Sequence, residues 1–318
     1  RNFANKIWNA YRYIMMNAEN IKKLPKRDDL MNGRDGFQLE LADKWIYSRL
    51  NEVIKETTEY YDSLRFNDVA NCLMNFIWNE FCSWYLELSK DRIYSDEDKK
   101  QQLTAKYILL DVMQNSMRML QPIMPFITQE VFSGITDHFQ LSEDSLVIAN
   151  YPKCDETFID TKIDKEMTFI QETITAIRNL RKQVNLSPAK EIKIFIKVHD
   201  NEQIVLFKEY ENYLEKLAKV IEIEAETDLK KPKSSIAAVV QNIEIYLPLS
   251  GLIDLDKERD KLQRQVDKLD NELKKINGKL NNPKFIANAP EKIVSKEKDK
   301  YTEVKTKLDK TKTILADL

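Results

Sequence analysis

The stretch LNNPKFIANAPEKIVSKEKDK, residues 280–300, uses two prolines to interrupt a long, lysine-rich helical pattern. Before it, seam positions are spaced 4-3-4-3-4, at Leu262, Val266, Leu269, Leu273, Ile276 and Leu280. After it, they are spaced 3-4-3-4-3, at Tyr301, Val304, Leu308, Thr311, Leu315 and Leu318. Both series have the 3.5-residue period of a coiled coil. We therefore predict two helices of about 40 Å that pair antiparallel, with Pro283 and Pro290 at the hairpin tip.

Charge is distributed unevenly along this hairpin. Residues 254–273 carry a net charge of −2, whereas residues 274–300 contain eight lysines and carry +5. The whole chain has a net charge of −2, so the part outside the hairpin is acidic. A basic tip on an acidic body suits the recognition of phosphate groups. On charge alone three interpretations stay open: a nucleic-acid contact, an acidic protein partner, or a structural coil with a solvated face.

Composition limits the remaining functions. The 318 residues are 42% hydrophobic and 32% charged, and no run approaches the roughly 18 apolar residues of a membrane span. The opening RNFANKIWNA has no signal-peptide pattern and begins at Arg1, so we expect a fragment of a larger protein. Cys72, Cys82 and Cys154 are isolated, which favours buried thiols in a reducing compartment. A cytoplasmic location is the resulting expectation.

Catalytic and metal-binding patterns are missing from the sequence. Only five glycines occur, and they are not clustered as a phosphate-binding loop requires. His138 and His199 stand alone, without a serine or cysteine nucleophile pattern nearby. We therefore predict no catalytic residue, no metal site and no cofactor in this chain.

The apolar periodicity divides the chain into three predicted domains. Residues 1–150 show a series of amphipathic helices with short connections, typical of a helical bundle. Residues 151–252 mix helical segments with the alternating strand patterns EIKIFIKV, VIEIEAE and NIEIYLPL, which indicates a small α/β unit. Residues 253–318 form the hairpin. The predicted fold class is mainly α.

Several strings, in this order, carry a family resemblance. RNFANKIWNAYRY, LADKWIYSRL, WNEFCSWYLELSK and LQPIMPFITQEVF resemble the helical anticodon-binding domain of class I aminoacyl-tRNA synthetases, most closely the valyl type. ITAIRNLRKQVNLSPAKEI, LPLSGLIDLDKERDKLQRQVDKL and KFIANAPEKIVSKEKDK resemble the C-terminal part of the same type, with its coiled-coil tRNA arm. The resemblance covers essentially the whole chain. It implies that the bundle receives an anticodon loop and that the arm touches the outer corner of tRNA.

The resemblance also implies what this chain lacks. The HIGH-type and KMSKS-type motifs of the family do not occur in it. We therefore expect the tRNA-recognition portion of a valine–tRNA ligase, whose whole protein is an enzyme that uses ATP and Mg²⁺. The expected partners are valine tRNA and the ligase's own catalytic domain, with no membrane contact and a monomeric state. The alternatives are the tRNA-binding part of an isoleucyl-type synthetase, or a non-enzymatic coiled-coil interaction protein.

Candidate contact residues follow from the same resemblance. For the anticodon loop they are Arg12, Trp45, Asn5 and Asn9. Arginine can hydrogen-bond or stack on a base, and tryptophan can stack on one, although each also has a structural reading as an ion pair or a core residue. For the outer corner of tRNA they are Lys274, Lys275, Lys279 and Lys300, expected to meet phosphates. A further basic stretch, whose other reading is intramolecular pairing, contains Arg178, Arg181 and Lys182.

Overall fold

The computed structural model describes residues 1–19, 21, 27–95, 98–139, 145–252, 255–282 and 291–317. The chain divides into two compact units, Arg1–Gln171 and Glu172–Leu318. We call them unit 1 and unit 2 and describe each by itself. The three predicted domains, with boundaries after residues 150 and 252, do not coincide with this division and stay a prediction.

Unit 1 is helical, as the periodicity predicted. Its helices are α1 Asn2–Ala18, α2 Arg27–Met31, α3 Leu41–Asp62, α4 Phe66–Asn75, α5 Leu86–Tyr94, α6 Lys99–Leu120 and α7 Pro125–Phe139. A π-helical segment, Phe76–Tyr85, joins α4 to α5, and α8 Thr161–Gln183 begins in this unit. Phe76 and Phe81 in the π-helical segment are fully buried. This segment therefore contributes to the core of the bundle.

Local chemistry sets where these helices begin. Glu40 and Asp43 form a capping box at the start of α3, which satisfies backbone N–H groups that have no partner within the helix. The Asp98 carboxylate accepts from the Lys100 and Gln101 backbone N–H groups at 2.9 and 3.0 Å and caps α6. Pro125 occupies the first position of α7, where its missing N–H removes no hydrogen bond.

A buried ion pair joins α3 to α5. The Asp43 carboxylate accepts two hydrogen bonds of 2.6 Å from the Arg92 guanidinium and one of 2.8 Å from the Tyr85 hydroxyl. Asp43 and Arg92 are both buried. Burial acts to lower the pKa of Arg92, but the adjacent Asp43 outweighs it and the pKa is raised. Arg92 therefore stays charged inside the bundle.

Asp164, in the first turn of α8, is a second acidic group that faces α3. The Ser48 hydroxyl donates to its Oδ2 at 2.8 Å, while Oδ1 is buried without a hydrogen-bond partner among the described residues. Burial is the main reason that the pKa of Asp164 rises to about 6. The carboxyl group is thus poorly solvated in its charged form.

We expect Asp164→Asn to stabilise unit 1 at pH 7.5 and to have no effect near pH 4. The folded carboxyl keeps its proton to higher pH than the unfolded one, so wild-type stability falls as pH rises from about 4 to about 6. The gain at pH 7.5 is about 1–2 kcal/mol, reduced from the full shift because the group is half-exposed. Denaturant unfolding followed by tryptophan fluorescence measures it, since all four tryptophans lie in unit 1. Equal stabilities of the two proteins at pH 7.5 would contradict the assignment.

Unit 2 contains a four-stranded sheet. Its strands are β1 Ile192–Lys197, β2 Val220–Glu226, β3 Ser235–Val240 and β4 Ile243–Pro248, in the order β2-β1-β4-β3. β1 and β2 are parallel and are connected through α9 Asn201–Glu209 and α10 Glu211–Ala218, while the other pairs are antiparallel. The alternation in EIKIFIKV correctly predicted β1. β3 was not predicted, because SIAAVV has no clear alternation of apolar and polar residues.

The remainder of unit 2 is a pair of long helices, α11 Leu255–Leu280 and α12 Glu291–Asp317, which we call the arm. Lys279 Nζ lies 3.1 Å from Glu297 Oε1, and Lys300 Nζ lies 2.9 Å from Glu272 Oε1. Because partner numbers fall on α12 as they rise on α11, the helices are antiparallel. Buried seam residues include Leu262, Val266, Ile276, Val304, Leu308 and Thr311. This confirms the antiparallel hairpin; Pro283, Pro290 and Leu318 lie outside the described residues.

Candidate nucleic-acid interface

Helix α1 turns one face to the core and another to solvent. Ile7 and Ile14 are buried, whereas Asn5, Asn9 and Arg12 are exposed. Their spacing of four and three residues places these polar residues on one side of the helix. Within the described part of the chain, the Arg12 guanidinium has no ion pair or side-chain hydrogen bond. The structural reading of Arg12 as half of an ion pair is therefore not what the structure shows.

Trp8 lies on the same exposed side and was missed by the sequence reasoning. It is 37% exposed, and its ring centroid is 5.3 Å from that of Tyr11. It follows Asn5 by three residues and precedes Arg12 by four. An exposed aromatic ring beside a free guanidinium can stack on an unpaired base. We call Asn5, Trp8, Asn9 and Arg12 the α1 face.

Trp45 is a correction to the predicted contacts. Its side chain is only 3% exposed and belongs to the core of unit 1. It follows Leu41 by four residues, and Leu41 is buried as well, so both lie on the inner side of α3. The prediction that Trp45 stacks on a base is wrong, and its structural reading as a core residue is correct.

Arg181 is a second correction, and Arg178 makes a similar contact within the chain. α10 ends at Ala218, and its last carbonyls have no partner within the helix. Arg178 Nε donates to Leu217 O at 2.7 Å, and Arg181 donates to Ala218 O at 3.0 Å and Ser187 O at 2.7 Å. Arg181 is 6% exposed, and burial lowers its pKa.

Intramolecular pairing therefore accounts for both arginines. They hold the C-terminus of α10. Arg181 is buried, whereas Arg178 is exposed, so contact of Arg178 with RNA stays a prediction. Lys182 is exposed, and its contact with RNA stays a prediction.

Three of the four predicted arm lysines have carboxylate partners. Lys274 Nζ lies 2.7 Å from Asp270, and Lys279 and Lys300 make the pairs with Glu297 and Glu272 that cross the arm. Donating hydrogen bonds to these carboxylates raises the pKa of Lys274 and of Lys300. Ion pairs of this exposure contribute little stability, so a phosphate can replace the carboxylate as the partner of each lysine.

Two further lysines near the end of the arm are available without breaking an ion pair. Lys275, which was predicted, and Lys296, which was not singled out, are exposed. Neither has a partner among the described residues. The sequence signal for Lys296 was its place among the eight clustered lysines.

These lysines share one side of the arm. Lys275 and Lys279 are four residues apart on α11, and Lys296 and Lys300 are four apart on α12, so each pair occupies one helix face. Lys300 pairs with Glu272, which lies seven residues (about two turns) before Lys279 and therefore on the same face of α11. The two faces therefore adjoin. We call Lys275, Lys279, Lys296 and Lys300 the lysine strip.

A polar cavity of about 250 Å³ lies between α3 and α4, lined in part by Arg49, Glu56, Cys72 and Glu80. Its groups satisfy one another: Arg49 Nε donates to Glu80 at 2.8 Å, and Cys72 Sγ donates to Glu56 at 3.4 Å. Burial is the main cause that raises the pKa of Cys72 to about 12, so it is no nucleophile at neutral pH.

The described residues also limit the kind of site that this chain can contain. Among them, no three or more His, Cys, Asp or Glu side chains are grouped as a metal would require. No helix in the described ranges has the length and apolar character needed to cross a membrane.

The comparisons with known proteins agree with this arrangement. Residues 43–196 match the family model of the anticodon-binding domain of tRNA ligases. Residues 254–318 match that of the valyl-tRNA synthetase tRNA-binding arm. A helical bundle of the first kind followed by an arm of the second defines the tRNA-recognition region of a tRNA ligase.

More specifically, the chain is similar to the C-terminal region of valine–tRNA ligases. It is 36% identical over 269 residues to the valine–tRNA ligase of Fusobacterium nucleatum, covering 83% of this chain and 29% of that enzyme. It is 39% identical over 263 residues to that of Clostridium tetani, covering 82% and 28%. It is 35% identical over 263 residues to the valine–tRNA ligase of Bacillus cereus, covering 83% of this chain and 28% of that enzyme.

The chain thus spans less than a third of the length of these relatives and corresponds to their C-terminal region. The relatives are enzymes, and this chain covers only part of them. Neither the isoleucyl-type nor the interaction-protein alternative gains support from the matches.

Proposed function

We propose that this chain is the tRNA-recognition part of a valine–tRNA ligase, an enzyme that attaches valine to valine tRNA using ATP. The observation that carries the proposal is the presence, in one chain, of a bundle and an arm that match the two tRNA-binding families separately. The bundle presents the α1 face to the anticodon loop. The arm presents the lysine strip to the outer corner of tRNA.

Two contacts, one with the anticodon loop and one with the outer corner of tRNA, make binding both tight and selective. The lysine strip meets phosphates, which gives affinity without sequence information, while the α1 face carries groups that can read or stack on bases. Once one contact forms, the other becomes intramolecular and gains effective concentration. The two together hold tRNA so that its acceptor end reaches the catalytic part of the ligase.

The remaining features of the proposal concern what surrounds this region. ATP and Mg²⁺ act in the catalytic part of the enzyme, to which this chain supplies the contacts with tRNA. Its partners are valine tRNA and that catalytic part, and the working state is a monomer. The 3.5-residue seams support a coiled-coil arm. Three free cysteines support a cytoplasmic location.

A filter-binding assay tests the proposal directly. The chain is titrated with valine tRNA and with the same tRNA carrying an exchanged anticodon. We expect tighter binding of valine tRNA and a steep loss of affinity with salt, because lysine–phosphate contacts release counterions. Equal affinity for the two RNAs would remove anticodon recognition, and no binding at low salt would end the whole proposal.

Trp8→Ala and Arg12→Ala should each reduce the preference for valine tRNA over the anticodon-exchanged RNA. A stacked base contributes about 1–3 kcal/mol, so we expect the Trp8 variant to lose roughly 5- to 150-fold in affinity for valine tRNA. The salt dependence should stay nearly unchanged, since Trp8 carries no charge. Met74→Ala, an exposed apolar residue on α4, is the control and should bind like the wild type. A Trp8 variant with full preference would remove the α1 face from the interface.

A further inference from the structure

One end of unit 1 exposes large apolar side chains in an unusual concentration. Phe126 is 90% exposed, Ile148 82% and Leu64 73%. We call the group the apolar end; its members are Leu64, Phe66, Ile123, Phe126, Val147 and Ile148. They lie at three places: the α3–α4 turn and the start of α4, the α6–α7 turn and the start of α7, and the segment 145–150.

Contacts among the neighbours of these residues bring the three places together. Leu146 N donates to Gln129 Oε1 at 2.9 Å, one turn after Phe126, and Arg118 Nη1 donates to Asn150 O at 3.2 Å. The segment 145–150 is therefore fixed at both ends beside the α6–α7 turn.

The α3–α4 turn is anchored to the same place. The Tyr61 ring centroid lies 6.2 Å from that of Phe66 and 5.8 Å from that of Tyr151, and the Tyr61 hydroxyl donates to Met119 O at 3.3 Å. Leu64 and Phe66 thus belong to one surface with the other four residues.

Leu64 adds an independent reason to assign this surface a partner. Its φ is +58°, in the left-handed region that glycine or asparagine adopts at much lower cost. A leucine there is unfavourable for the backbone and, at 73% exposure, unfavourable in water. The cost of exposure is removed if a partner buries the side chain, and a leucine kept at a position that favours glycine is then explained by that contact.

We propose that the apolar end is the docking surface for another domain of the same ligase, a protein surface of apolar character. Contiguous apolar patches of this kind are uncommon on free-standing soluble proteins. The relatives devote more than two thirds of their length to regions that this chain does not match, so a large protein body is available as partner. RNA is disfavoured as the partner, because none of the six side chains carries a charge that could meet a phosphate.

The inference rests on the proposed function, since it takes the chain to be part of a longer ligase. Its test does not depend on RNA. Phe126→Cys and Ile148→Cys are prepared both in the 318-residue chain and in the full-length ligase that carries this sequence, and the rate of maleimide labelling at each site is followed by peptide mass. Val205→Cys on α9, a residue 61% exposed in the wild type, is the matched control.

We expect labelling at positions 126 and 148 to be at least 10-fold slower in the full-length ligase, with the control changing less than 2-fold. Equal rates in the two proteins would overturn the proposal. Two other outcomes would also overturn it. One is labelling of the short chain that becomes slower as protein concentration rises, which indicates a second copy; the other is slower labelling only when tRNA is added. Because tRNA binding by the short chain is measured separately, failure of the docking surface and failure of the proposed function are distinguishable.

Discussion

Replacing the four lysines of the lysine strip with glutamine should weaken the binding of valine tRNA about 100-fold at 0.1 M salt. Each lysine that meets a phosphate releases counterions, so the loss of four contacts lowers the slope of log affinity against log salt by about 3. The measurement is a salt titration of tRNA affinity for the wild type and the K275Q/K279Q/K296Q/K300Q variant. An unchanged slope would remove the strip from the RNA interface.

A matched pair of double variants separates position from net charge. Lys275→Gln with Lys296→Gln removes two unpartnered strip lysines. Lys274→Gln with Lys298→Gln removes two charges at the same level of the arm, from other helix faces. If the whole positive tip attracted RNA indiscriminately, both doubles would weaken binding equally.

We expect the strip double to lower the salt slope by about 1.5–2 and the other double to lower it by less than half of that. The paired lysines Lys279 and Lys300 must first leave Glu297 and Glu272. Lys275 and Lys296 have no such partner among the described residues, so they should carry most of the effect. A larger loss from Lys274 and Lys298 would place RNA on the opposite side of the arm.

Sequence reasoning predicted the helices well and the two tryptophans on α1 and α3 poorly. Apolar periodicity is a local property, so the bounds of the long helices, the antiparallel arm and strand β1 followed from it. The same periodicity distinguishes the buried tryptophan from the exposed one. Trp45 repeats Leu41 at a spacing of four and is core, while Trp8 lies next to buried Ile7 and therefore off the inner face.

The arginines show where local patterns stop being informative. A spacing of three correctly placed Arg178 and Arg181 on one helix face, but their partners are carbonyls 39 and 37 residues away. Such partners depend on how α10 packs, which no spacing along α8 reveals. Charge clustering was informative about the region but not about the individual residues. It identified the end of the arm as basic, but only the observed ion pairs distinguish the free lysines from the paired ones.

Asp43→Ala should destabilise unit 1 by about 3–5 kcal/mol, because it removes both short hydrogen bonds from the buried Arg92 charge and leaves it only the longer 3.5 Å pair with Glu40. The Asp43 carboxylate accepts from Arg92, from the Tyr85 hydroxyl and from the Glu40 backbone N–H. Its removal therefore also leaves a buried hydroxyl without an acceptor and abolishes the capping box of α3. Tryptophan fluorescence during denaturant unfolding reports this loss from unit 1.

Two companion variants establish that the buried pair, and not a negative charge as such, is responsible. Asp68→Ala removes a carboxylate from the exposed pair with Arg65, and we expect a change of at most about 1 kcal/mol. The double variant Asp43→Leu with Arg92→Met replaces the pair with apolar groups and should recover much of the loss, since no charge stays buried alone. If Asp43→Ala cost less than about 1 kcal/mol, the pair would not hold α3 and α5 together. In that case the packing of Phe76 and Phe81 in the intervening π-helical segment would have to supply the link.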